Sequence, residues 1–275
     1  MFFKTIMVQL DVDAAAEPRV KFASDLARNF DADLIAFAAA EARIVVPVGD
    51  TGALAGEALR LRVKEIEERL KVLEGVFQSA TADNPRASWR GHLGDPTRLL
   101  ALHGRSADLL IVGSPNPAMV SDHKRTVDQG ALILSAGRPV LLASDGLAPV
   151  SHESVVIAWK DTREARRAVV DAMPFLTKAK HALVLTIEDD EERAARESAD
   201  DVVRFLKKHG VKARSEVMDV DRSQECEALA QVADEVGANL IVSGAYGHSR
   251  LREWAFGGVT RSLLKTGSLH RLMSN

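Results

Sequence analysis

Short apolar runs rich in β-branched residues alternate along this chain with longer stretches whose apolar residues recur at steps of three and four. The first pattern predicts buried strands and the second predicts amphipathic helices, because side chains repeat every two residues on a strand and every 3.6 on a helix. In the first half, residues 4–10, 33–39, 87–91, 108–112 and 139–143 read as strands. Val20, Ala23, Ala27 and Phe30 mark one helix face. Leu59, Val63, Ile66, Leu70, Leu73 and Phe77 mark a much longer one, with Lys64, Glu65, Glu68 and Arg69 on its outer side. Asp95-Pro96 predicts a helix start, with Asp capping free backbone N–H groups and Pro at the first helical position.

In the second half, strands are expected at 154–159, 182–187, 212–217, 239–243 and, from a fainter pattern, 268–273. Three helix faces separate them. These carry Ala165, Ala168, Val169, Ala172 and Leu176, then Ala195, Ala199, Val202 and Leu206, then Cys226, Leu229, Ala233 and Val236. Strands separated by helices imply parallel pairing through right-handed crossovers.

The halves repeat each other. Residues 107–114 read like residues 238–245 at an offset of 131, and residues 5–11 read like 154–160 at an offset of 149. The difference of 18 places extra residues in the first half, around 41–78. A repeat of this length is a domain rather than a solenoid unit. The fold class expected is α/β, as two tandem doubly wound domains, each a five-stranded parallel sheet flanked by helices. The domains expected are 1–146 and 152–275, joined by the turn-rich stretch 144–151.

Composition narrows the function. One cysteine rules out an intrachain disulfide framework and a Cys-rich zinc site. With 36 basic against 39 acidic residues, the net charge of -3 argues against a nucleic-acid partner. No apolar run approaches the ~18 residues of a membrane span, and no signal-peptide pattern opens the chain, so the expectation is a cytoplasmic protein without a membrane partner. Eight histidines fall at no metal-ligand spacing.

The most distinctive segment follows the strand at 239–243. It places Gly244, Gly247 and Gly257 at Gly-x2-Gly-x9-Gly spacing and continues through Gly258 and Val259 into a helical pattern from Thr260. Ligands of open parallel sheets sit beyond the carboxyl ends of the strands. Glycine there lets the backbone approach closely, and loop N–H groups together with a helix N-terminus can cradle phosphate.

This spacing, with the repeat, resembles the nucleotide loop of the universal stress protein family in its tandem-domain type. Residues 158–165 also resemble that family's first-strand exit and first helix. The resemblance implies an adenine-nucleotide α-hydrolase-like fold and a role in stress tolerance. It also implies ATP, or AMP or ADP, with or without Mg, as the cofactor of the second domain. The nucleotide-binding residues carried over are Trp159, Lys160 and Asp161 at the first-strand exit and Ile187 at the end of the second strand. Gly244, Gly247, His248, Gly257, Gly258, Val259 and Thr260 complete the set in the loop. Two positions depart from the family pattern. Gly258 stands where Ser or Thr usually follows the third glycine, with Thr260 two places on, and Lys160 stands where Asp is usual, with Asp161 next.

The first half departs further. Asp11 and Asp13 sit at its first-strand exit, but Gly113-Ser114-Pro115-Asn116 replaces Gly-x2-Gly, and Pro117 follows. Each proline removes a backbone donor from a loop whose donors hold the ligand. This half reads as degenerate for ATP.

The leading expectation is a stress-response regulatory module, not an enzyme, that couples adenine-nucleotide binding to an unidentified protein client. The two domains would pair within the chain, and homodimerisation stays open. Alternatives are slow ATP hydrolysis or autophosphorylation at the same loop, a nucleotide-free scaffold, and a receiver-like domain using Asp219 or Asp221.

Overall fold

The computed structural model describes residues 2–43, 52–113, 124–187, 192–220, 224–246 and 267–275. The chain divides into two compact units, Lys4–Ala136, and Gly137–Asn275 together with Met1–Phe3.

The first unit runs β1 (Thr5–Gln9), α1 (Glu17–Phe30), β2 (Asp33–Ala40), α2 (Gly52–Ala80), β3 (Ala87–Leu93), α3 (Pro96–His103), β4 (Leu109–Val112) and α4 (Gln129–Ser135). Its strands lie in the order β3-β2-β1-β4, all parallel. Burial of β1 and β4 on both faces explains their unbroken apolar sequences. The predicted α1 face is the observed one, with Val20, Ala23, Ala27 and Phe30 buried. Asp95 caps α3 as expected, accepting from the Arg98 N–H, with Pro96 opening the helix.

The predicted long helix is α2, with 29 residues against 17 in its counterpart of the second unit, which accounts for most of the inserted length. Its face is buried only in the C-terminal part, at Ile66, Leu73 and Phe77, whereas Leu59 and Leu61 are exposed. The expected apolar face therefore stops short. At 1.5 Å per residue α2 is ~44 Å long, nearly twice the length of the strand it packs on, so its first turns overhang the sheet.

The second unit runs β5 (Val140–Leu142), β6 (Ser154–Ala158), α5 (Arg163–Asp171), α6 (Met173–Leu176), β7 (His181–Ile187), α7 (Glu192–Lys208), β8 (Ala213–Met218), α8 (Glu225–Glu235), β9 (Ala238–Gly244) and β10 (His270–Ser274). The strand order is β5-β10-β9-β6-β7-β8. Five of these strands, β10 to β8 in that order, pair in parallel as the repeat predicts.

β5 belongs to the first half by sequence, yet it lies in the second unit and pairs antiparallel with β10. A three-residue apolar run carries no signal for its partner. The helix expected through Leu176 is divided into α5 and α6, because Pro174 lacks an N–H and its ring clashes with a carbonyl four residues back. Ala165, Ala168, Val169, Ala172 and Leu176 are all buried nonetheless. Leu229 and Ala233 of α8 are buried as expected, while the Cys226 side chain lies outside the described residues. Among the described residues no helix is long and apolar enough to cross a membrane.

Candidate functional site

Parallel register brings three strand ends to one edge of the second unit. Ala158 of β6 pairs with Leu185 of β7 on one side and Ser243 of β9 on the other. Trp159, Lys160 and Asp161 leaving β6, Ile187 ending β7 and Gly244 ending β9 therefore share the carboxyl edge of the sheet. Gly247, His248, Gly257, Gly258, Val259 and Thr260 lie outside the described residues.

Gly244 is held by close approach. A Cβ on it would sit 2.4 Å from the Ala165 nitrogen and 2.6 Å from the Glu164 carbonyl carbon. These are backbone atoms of the first turn of α5, so only glycine lets β9 end against that turn. The next residue is fixed as well. The Ala245 N–H donates to Ser274 O at 2.9 Å, and its carbonyl accepts from Asn275 Nδ2 at 2.9 Å. Tyr246 then takes φ of 65°, a left-handed conformation uncommon for a bulky residue. The glycine segment thus starts from a rigid base.

At the β6 exit, the Thr162 N–H donates to Lys160 O at 2.7 Å, making a tight turn. Thr162 caps α5 by accepting from the Ala165 N–H at 3.2 Å. Glu164, in the same first turn, is buried and pairs with Arg163 at 3.0 Å, placing negative charge at the positive helix end. Lys160 is exposed, and Asp161 is bound by Arg166 at 2.6 Å. Trp159 is 5% exposed, and its indole N–H donates to Ser198 Oγ on α7 at 2.9 Å. Its ring is therefore committed to packing β6 against α7.

The repeat did not single out Thr162, Glu164, Thr186 or Ser198. Thr162 carries the one available signal, a hydroxyl residue three positions before Ala165 at a helix start. Thr186, beside Ile187, is buried, and its hydroxyl makes no hydrogen bond among the described residues. A threonine inside a strand looks like any β-branched core residue, so no signal marks it.

The corresponding edge of the first unit is filled by its own charges. Arg19 of α1 donates to Gln9 O at 2.9 Å and to Asp11 Oδ2 at 2.9 Å, and its guanidinium lies where a Cβ on Gly113 would be, 2.0 Å from Nη2. Arg125 binds Asp13 at 2.6 Å and Glu65 at 3.4 Å. Arg69 of α2 also pairs with Asp13, and with Glu65 at 3.1 Å. Lys124 bridges Glu41 at 2.8 Å and Asp95 at 3.3 Å. The Arg125 hydrogen bonds hold the Asp13 carboxyl below the usual range, and the Glu41 hydrogen bond pushes the Lys124 ammonium up. Among the described residues, the acids and bases at this edge neutralise one another.

Among the described residues no group of three or more His, Cys, Asp or Glu side chains is placed to hold a metal ion.

In sequence, no curated protein matches the chain. In fold it is similar to a universal stress protein from Archaeoglobus fulgidus, with TM-score 0.71 at 12% identity, covering 98% of this chain and 96% of that one. It is also similar to a functionally unknown protein from Pseudomonas aeruginosa, with TM-score 0.60 at 16% identity, covering 99% and 92%. At such identities the likeness concerns the fold. The sequence profile of the universal stress protein family matches residues 153–269, a span that contains β6 to β9, the Gly244 junction and the whole glycine segment. Over residues 153–269, in its second half, the chain is similar to the universal stress protein family.

Proposed function

We propose that this member of a stress-response family is a regulatory protein whose second half binds an adenine nucleotide, ATP or AMP or ADP, at the carboxyl edge of β6, β7 and β9. The halves 1–146 and 152–275 act as two copies of one domain, with nucleotide binding kept in the second. The observation that carries the reading is Gly244 against the first turn of α5. That contact places the start of the Gly-x2-Gly-x9-Gly segment beside the β6 exit, where Lys160 is exposed to meet phosphate. Asp161, bound by Arg166, orders the same turn, and the Ile187 end of β7 offers an apolar wall for the base.

The first unit serves as a structural partner without nucleotide, because Arg19, Arg69, Lys124 and Arg125 are each paired with carboxylates. A client protein would read the nucleotide state of the second half. Native mass spectrometry with ATP, ADP or AMP added, with and without Mg, tests the reading. One nucleotide per chain is expected, lost when Gly247 or Gly257 is replaced by Val. No bound nucleotide, or equal affinity in those variants, overturns it.

A further inference from the structure

A second concavity lies at the opposite end of the second unit. It encloses about 510 Å³, within the ~300–1,000 Å³ of small-molecule sites. Its lining includes Ser154, His181 and Ala213, the first residues of β6, β7 and β8. The seven residues of β7 separate it from the Ile187 end by ~20 Å.

Strand register defines its floor. Leu183 pairs with Val156 on one side and Arg214 on the other, so these three side chains share one face of the sheet. Ser215, next to Arg214, turns to the other face and bonds Asp200 of α7. Leu183 is buried, and Val236, at the end of α8, supplies an apolar wall. The rim is basic. Lys207, Lys212, Arg214 and His181 line the groove, and none of its lining residues is acidic. Gly210 at the rim has open space around a built Cβ.

Two features oppose an anion here. The C-terminal, negative end of α7 lies at the rim, and Arg214 pairs with Glu216 at 2.8 Å. Lys207 and Lys208, in the last turn of α7, offset the first. The second pair is exposed and therefore weak. Lys212 and the free edge of the Arg214 fork remain as donors over an apolar floor.

We propose that this groove binds a small organic anion, an apolar chain or ring ending in a carboxylate or phosphate, with its head group on Lys212 and Arg214 and its body over Leu183 and Val236. This site is independent of the nucleotide reading and lies at the other end of the same sheet.

The test is a titration of the full chain followed by backbone amide resonances. Octanoate and octyl phosphate supply the two head groups on one tail, while octanol and inorganic phosphate each lack one half of the pattern. At least one amphiphile is expected to shift the Leu183, Gly210 and Lys212 amides saturably, leaving Gly244 unmoved. Octanol and inorganic phosphate, and the double variant K212A/R214A, should each bind at least ~10-fold more weakly, about one lost charge-assisted contact. Both replaced side chains are exposed, so the fold is retained. The proposal is overturned if neither amphiphile gives a saturable shift, if octanol binds as well, or if the double variant binds unchanged. In that last case aggregation of the variant would assign the basic residues to guarding the edge strand β8 instead.

Discussion

Arg125 donates through Nε and Nη2 to the two carboxylate oxygens of Asp13, at 2.6 and 2.9 Å. The pair joins the exit of β1 to a residue that follows Gly113 by 12 positions, close to the 13 that separate Gly244 from Gly257. Arg125 and Arg19 thus fill and neutralise the carboxyl edge of the first unit with their own side chains. At this edge Arg19, Arg69, Lys124 and Arg125 are each paired with a carboxylate, whereas Lys160 at the edge of the second unit is exposed.

The Arg125–Asp13 pair is only 10% and 22% exposed at its side chains, so breaking it leaves a poorly solvated charge. R125A is expected to cost about 2 kcal/mol in the first unit, and D13N a similar amount. The two should be strongly non-additive in a double-mutant cycle. Because the folded Asp13 carboxyl is held below the unfolded value, its contribution is complete above about pH 4 and disappears as pH falls through the folded value. Hydrogen exchange of the β1 amides between pH 7 and 3 checks this. Additive losses, or no loss of protection at low pH in the unaltered chain, would count against it.

The fold was legible because it rests on periodicity. The α1 face, the Asp95 cap and the five parallel strands of the second unit all follow from patterns within one element or from the repeat. What was not legible depends on partners far apart in sequence. β5 pairs with a strand some 130 residues later, α2 overhangs its sheet, and Arg19 reaches Gly113 across the edge. Gly244 was visible as a loop glycine, yet its steric reason, the backbone of Ala165, appears only once α5 is placed.

G244A is therefore expected to act through packing before any ligand is added. The new methyl meets backbone atoms that cannot rotate away, so β9 or α5 must shift, at a cost of about 1–3 kcal/mol. Gly146 is the control, since a Cβ there meets nothing within 4 Å, and G146A should change stability by less than ~0.5 kcal/mol. Denaturant unfolding of both variants decides the point. Equal midpoints would remove the steric basis of the junction.

His270 gives the second unit a pH dependence of known sign. It is fully buried, its Nδ1 accepts from the Ser144 N–H at 3.0 Å, and its Nε2–H donates to Ala148 O at 2.7 Å, which fixes the neutral ring. Burial lowers its folded pKa, so below about pH 6.5 the unfolded chain takes up a proton that the folded chain refuses. Stability should fall as pH drops from 7 to 5. Burial pushes His103 of the first unit in the same direction. Comparing H270Q and H103Q by denaturant midpoint across this range apportions the slope. A slope untouched by H270Q would place it elsewhere.

Trp159 separates a packing role from a ligand role. Its indole N–H is satisfied by Ser198 inside a buried contact, so S198A should leave a buried donor unpaired and cost about 1–2 kcal/mol. W159F removes both partners' interaction and some buried area, and should cost a similar amount. ATP affinity, measured by calorimetry at a temperature where both variants stay folded, is expected to change by less than ~3-fold, under 1 kcal/mol. The outcome that would reverse this assignment is the opposite split, with stability intact and affinity lost. The Trp159 ring would then have to leave Ser198 to meet a base at the β6 exit.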